Sequence, residues 1–189
     1  MSFKYGELED QIVDLCRGIS PDFQKVDELI RRGADINAVA KDNPDDNILS
    51  DILYFFLFDE DYPRHGMDTQ FGESMVKTVA YFLKNGFSVR KNNHRYGAKC
   101  LATFICTSFA EYMLTAVRLL LDAGARNAIV YSDENETTLN VIGGDISFQR
   151  VERDYHQANL LEACYQMILA VEEGKPYHGI DHYMKCYGK

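Results

Sequence analysis

The chain has 189 residues, 46% hydrophobic and 26% charged, with 12 Tyr and 11 Phe but only 4 Pro. That composition belongs to a folded chain long enough to bury a core and excludes a disordered one, which would carry far fewer aromatics. The net charge of −9 is concentrated in residues 1–62, with 6 Lys+Arg against 15 Asp+Glu, and such an acidic field disfavours nucleic acid as a partner.

The first residues, MSFKYGELEDQ, lack a basic stretch followed by an apolar one, so no secretory signal is expected and the reading is cytoplasmic. Leu8 to Arg17 sets Leu8, Ile12, Val13, Leu15 and Cys16 at near-helical spacing, and Gly18 ends that helix. Ser20-Pro21-Asp22 opens the next, with Ser20 or Asp22 as the cap and Pro21 in the first turn. Val26, Leu29 and Ile30 mark its apolar face. Gly33 stops it, because a residue free to adopt positive φ satisfies the last carbonyls.

Ala40 to Asn47, AKDNPDDN, is a loop by its turn chemistry. A helix from Ile48 to Phe58 follows with Asp51 inside it, an apolar run about half as long as a membrane helix requires. Tyr54, Phe55, Phe56 and Phe58 crowd four rings into five positions, so at least one is expected to face a groove. The polar insertion DEDYPRHGMDTQFG then lengthens a turn before a helix from Glu73 to Asn85, ended by Gly86.

Phe87 to Lys99 is predicted as an extended finger rich in positive charge. Cys100 to Phe109 and Glu111 to Ala123 form the next helical pair, ended by Gly124, and Ala125 to Glu136 a further finger. Thr137-Thr138-Leu139 opens a last short helix expected to break at Gly143-Gly144. Val151 to Glu173 is predicted as one long helix stopped by Gly174-Lys175-Pro176, with a tail, PYHGIDHYMKCYGK, that folds back as a cap or frays.

Three stretches share one pattern: VDELIRRGADINA (Val26 to Ala38), VAYFLKNGFSVRKN (Val79 to Asn92) and VRLLLDAGARNAIV (Val117 to Val130). Each is an apolar helix end, a spacer, a glycine and a short extended run. The pattern resembles the second helix and exit loop of ankyrin repeats. The resemblance implies an all-α fold, an ankyrin-repeat-like solenoid of about four helix-turn-helix hairpins with finger loops. Its approximate repeats are 5–41, 42–95, 96–134 and 135–176, with a C-terminal tail at 177–189. Gly33, Gly86, Gly124 and Gly174 are spaced by 53, 38 and 50 residues, so the array carries insertions. Asp46-Asn47-Ile48-Leu49 departs from the Thr-Pro-Leu turn of the family.

The resemblance further implies a non-catalytic protein-protein interaction module, without a cofactor, that holds a partner protein at its finger tips and concave face. The residues it nominates are Asp35, Asn37, Asp42, Asp45 and Asp46 on the first finger, Arg90, Lys91, His94 and Arg95 on the second, and Arg126, Tyr131 and Asp133 on the third. The acidic first third favours a partner with a basic surface. A sharper version is a bacterial immunity protein that neutralises a cognate toxin, its acids standing in for nucleic acid. For the basic second finger, neutralisation by the neighbouring acidic segment is favoured over nucleic-acid contact. A self-associating scaffold would pair the same segments between copies.

No phosphate-binding glycine loop, nucleophile elbow or zinc-protease helix motif occurs in the sequence. The best metal candidate is His178, His182 and Cys186, spaced i, i+4 and i+8, which would align three ligands on a helix but lacks a fourth. Asp42, Asp45 and Asp46, with Asp51 beyond, lack the glycine and terminal glutamate of a calcium loop. Asp59, Glu60 and Asp61 form a second acidic knot that would suit docking. Five cysteines, an odd number set mostly among apolar residues, point to buried thiols.

Overall fold

A computed structural model describes residues 4–58, 68–103, 110–131 and 134–187. Among the described residues the chain is mainly helical. In order come α1 (Glu7–Cys16), α2 (Phe23–Arg31), α3 (Ile48–Phe58), α4 (Asp68–Lys84), α5 (Arg95–Thr103) and α6 (Ala110–Asp122). A short ribbon, β1 (Ile129–Tyr131) antiparallel to β2 (Glu136–Thr137), precedes α7 (Thr138–Val151), α8 (Tyr155–Glu172) and α9 (Ile180–Tyr187).

Local chemistry sets the helix starts. A side-chain oxygen accepts a backbone N–H three residues on at Asp22 for Lys25, Asn47 for Ser50, Thr137 for Asn140 and Asp154 for Gln157. Asn47 and Ser50 cap each other reciprocally, since the Ser50 hydroxyl also accepts from the Asn47 N–H at 3.1 Å. This pair opens α3 without a Thr-Pro-Leu turn. Of the two caps proposed for α2, Asp22 is the one used, so Pro21 precedes the cap and does not occupy the first turn.

The ends share a second device. Gly33 has φ 103°, and beyond it the Ala34 N–H reaches back to the Leu29 carbonyl at 3.1 Å. The bond recurs from Phe87 to Phe82, from Ala125 to Leu120 and from Lys175 to Ala170. Four helices therefore close at a glycine with the six-to-one bond of a Schellman motif, α7 makes the same bond from Asp154 to Gln149 past Arg153 at φ 63°, and a side chain at Gly33 would strain the backbone that makes it.

Each helix packs on its successor in the pairs α1 with α2, α3 with α4, α5 with α6 and α7 with α8. α1, α3, α5 and α7 also touch in sequence, as do α4, α6 and α8. α3 explains its own composition: lying against α1, α4 and α5, it buries Ile48, Leu49, Ile52, Leu53 and Phe56 on several sides. Phe82 and Val79 of α4, Leu114 and Val117 of α6, and Leu161 and Met167 of α8 continue one core. Asn37 ties neighbouring hairpins together, donating to the Gly86 carbonyl at 3.0 Å and accepting from the Ser88 N–H at 2.8 Å.

Several boundaries differ from expectation: α4 begins at Asp68, inside the expected insertion, and α8 begins at Tyr155, after a turn that separates it from Val151. α5 begins at Arg95, so Arg95, Tyr96 and Lys99 stand on a helix and not on an extended finger. The chain before it turns through Asn92, Asn93 and His94, all with positive φ. α7 runs unbroken through Gly143-Gly144 to Val151, because Ile142 and Ile146 anchor it on the core and tertiary packing outweighs the glycines' weak helix propensity. The tail takes the first of its two expected courses and folds back, as α9, which lies on α8 and α6 and buries Tyr183.

Candidate functional site

The acidic first finger and the basic segment after Gly86 face each other. Lys91 approaches Asp35 at 4.0 Å, Arg95 is bonded to Asp45, and Lys99 lies 3.0 Å from Asp46. Arg95 and Lys99 are four apart on α5 and so project from one side of it. Asp45 is only 10% exposed, so its charge is consumed inside the molecule.

Beside these pairs lies a cleft of about 330 Å³ between the first finger, α3, α5 and β1. Its charged lining is Lys4, Asp46, Asp51 and Lys99, its walls include Tyr54 and Tyr131, and Asn43, Ser50 and Thr103 complete its polar rim. The charges alternate. Arg17 lies 3.8 Å from Asp51, Asp51 2.9 Å from Lys4, Lys4 3.8 Å from Asp46, and Asp46 3.0 Å from Lys99. An aromatic ring closes each end, Phe55 at 5.3 Å from the Arg17 guanidinium carbon and Tyr131 at 4.3 Å from the Lys99 ammonium, both within cation–π range.

The ladder draws on four separate parts of the chain. Lys4 is held by its backbone: its N–H donates to Asp10 at 2.9 Å, and its carbonyl accepts from the Lys41 N–H at 2.9 Å. Asp51 points out of the first turn of α3, and Asp46 immediately precedes the Asn47 cap. Beneath Lys4, Tyr5 is 5% exposed, and its hydroxyl finds no hydrogen-bond partner among the described residues. Burial first, then the charges of Asp51, Asp46 and Asp10, push its pKa up and keep it a protonated donor. Tyr5 lines a smaller recess of about 270 Å³ that shares Lys4 and Asp51 with the cleft.

Of the residues nominated from sequence, Asp46 and Tyr131 line the cleft. Asp42 is exposed beside it on the first finger. Asp35 and Asn37 build the finger itself, the Asp35 carboxylate accepting from the Asn37 N–H at 2.8 Å. Arg90 lies against Gly124, and His94 Nδ1 is 3.2 Å from the Gly124 carbonyl. Arg126 donates to the Ala125 carbonyl at 2.6 Å. Lys91 sits over the Tyr96 ring at 5.6 Å as well as near Asp35. Asp133 lies outside the described residues, as do Asp59, Glu60 and Asp61.

Lys4, Asp51, Tyr54 and Lys99 were not nominated. Two of them left a trace in the sequence: Asp51 is the charge inside the apolar run of α3, and Tyr54 is a ring of the crowded set that faces out, 56% exposed, while Phe56 is buried. Lys4 and Lys99 meet only through tertiary contact, which no local pattern announces.

At the other end of the chain, the His178 and His182 rings lie 4.0 Å apart and Cys186 Sγ is 3.8 Å from His182 Nε2. Among the described residues no group of three His, Cys, Asp or Glu side chains is placed to hold a metal ion. No helix among them is long and apolar enough to cross a membrane. No protein-family model, curated protein or solved structure matches the chain.

Proposed function

We propose that this protein is an interaction module of ankyrin-like hairpins that holds a partner protein in the cleft between the first finger, α3 and α5. The supporting observation is the cleft itself. Two accessible tyrosines, Tyr54 at 56% and Tyr131 at 36% exposure, flank a polar floor whose side chains come from elements fixed by caps and ion pairs. Tyrosine supplies large contact area with few rotatable bonds, and rigid framing lowers the ordering cost of association.

The row of odd-numbered helices with the fingers beside it is the face that the ankyrin resemblance assigns to binding. The acids Asp35, Asp45 and Asp46 are matched by Lys91, Arg95 and Lys99 within the chain, so this reading gives the partner's contact to the cleft and not to a bare acidic finger.

The test uses a partner recovered by affinity capture and then purified. Its affinity, measured by calorimetry, is expected to fall about tenfold or more for Tyr54→Ala with Tyr131→Ala, as for aromatic residues at an interface centre. Lys77→Ala on α4, whose side chain is 64% exposed and pairs locally with Glu73, is expected to leave it unchanged. Full affinity in the tyrosine variant would refute the proposal.

A further inference from the structure

We infer that the group the partner places in the cleft is an acidic side chain, received by the ammonium groups of Lys4 and Lys99, although the chain as a whole carries −9. This inference rests on the reading of the cleft as a binding surface.

All four carboxylate oxygens face a cation. Asp46 Oδ1 faces Lys99 and Oδ2 faces Lys4, while Asp51 Oδ1 faces Lys4 and Oδ2 faces Arg17. An incoming guanidinium or ammonium group would meet the like charge of a resident cation within 3.8 Å of every one of them. The cations are differently placed. An ammonium group carries three N–H donors. Lys4 puts one at 2.9 Å on Asp51 and stands 3.8 Å from Asp46, and Lys99 puts one at 3.0 Å on Asp46.

Both ammonium groups border the cleft, and the single Asp46 carboxylate already pairs with both, at 3.8 Å to Lys4 and 3.0 Å to Lys99. Arg17 is also held by Asp14 at 3.3 Å and does not line the cleft, so it remains the outer end of the ladder. Bridging Lys4 and Lys99 would continue the alternation of charge, with the Tyr54 and Tyr131 rings beside the incoming chain. A charge-assisted bond of this kind is stronger than a neutral one.

Distant repulsion from the net negative charge does not decide the matter. Its reach is about 8 Å at physiological ionic strength, whereas the two lysines act at contact. The acid would therefore serve recognition after encounter and would do little for the rate of encounter.

The test is a chemical-shift titration of the isotopically labelled full chain with three probes: the peptide acetyl-Gly-Glu-Gly-amide, the same peptide with Arg in place of Glu, and inorganic phosphate. The glutamate peptide is expected to shift the lysine side-chain resonances of Lys4 and Lys99 and the rings of Tyr54 and Tyr131 in the millimolar range. Lys4→Gln is expected to weaken this about fivefold, the effect of one partly exposed ion pair. Lys99→Gln is expected to weaken it further, and its amide spectrum shows directly whether the fold survives.

Shifts produced by the arginine peptide instead would overturn the inference while leaving the cleft as a binding surface. Binding of phosphate at least as tight as that of the glutamate peptide would overturn it in favour of a small-anion site. Silence of the cleft toward all three probes would also overturn it. The affinity of the purified partner for the Tyr54 and Tyr131 variants reports separately on whether the cleft is the binding surface.

Discussion

Lys99 Nζ lies 3.0 Å from Asp46 Oδ1, joining α5 to the finger that precedes α3. The lysine side chain is 13% exposed and the aspartate 25%, so neither charge is freely solvated. Asp46→Ala would leave a largely covered ammonium without its carboxylate, and the expected cost is about 2–3 kcal/mol. Lys4 is 38% exposed, and Lys4→Ala is expected to cost under about 1 kcal/mol. Urea unfolding of both variants checks the ranking, and equal losses would show that burial of the Lys99 pair contributes nothing.

Two glycines should respond to alanine with opposite signs. A Cβ on Gly97 would stand 2.8 Å from Ala125 Cβ and 2.9 Å from the Val89 carbonyl, where α5 closes on its neighbours. Gly97→Ala is expected to cost about 1–3 kcal/mol through overpacking. Gly144 lies within α7 with nothing within 4 Å of such an atom, and Gly144→Ala is expected to add about 0.5–1 kcal/mol. Thermal unfolding of the pair measures both signs at once.

The turn before α5 holds Asn92, Asn93 and His94 at φ 52°, 53° and 68°. Asparagine tolerates the left-handed region, whereas a β-branched residue does not. Asn93→Val is expected to cost about 1–2 kcal/mol, with Asn93→Gly close to neutral. A melting temperature for Asn93→Val equal to that of the parent chain would contradict this backbone geometry.

Cys16, Cys100 and Cys164 are buried, while Cys186 is exposed on α9. Burial pushes the thiols of Cys16 and Cys164 up to about 12, and that of Cys100 higher still. Peptide-level mass spectrometry after brief alkylation should find Cys186 modified in the native protein and these three only in denaturant. The same shifts set an alkaline limit. Between about pH 9 and 12 the folded chain keeps protons that the unfolded chain releases, so stability is intact below that window and falls as pH rises through it. Stability that stayed level across the window would contradict the burial of these thiols.

Much of the framework was legible because it rests on short-range chemistry. The stops at Gly33, Gly86, Gly124 and Gly174 follow from a backbone conformation that glycine adopts readily, and the limits of α3 follow from an apolar run interrupted at Ser50 and Asp51. Packing decided what the sequence left ambiguous. Gly143-Gly144 reads as a break in isolation, but α7 is pinned by Ile142 and Ile146. The cleft was legible only in part. Asp51 and Tyr54 break a local pattern and so leave a mark, whereas Lys4 and Lys99 gain their roles by meeting Asp46 from 42 and 53 residues away. Charge segmentation suggested a basic partner, but the opposite signs of neighbouring segments are spent largely on each other.

The most direct measurement is hydrogen exchange of the whole chain with and without its purified partner. The account predicts slowed exchange in 43–54, 99–103 and 129–131, the segments that line the cleft, with little change in α2 and α4 on the other row of helices. Protection confined to α2, α4 and α6, with the cleft segments exchanging as in the free chain, would contradict it.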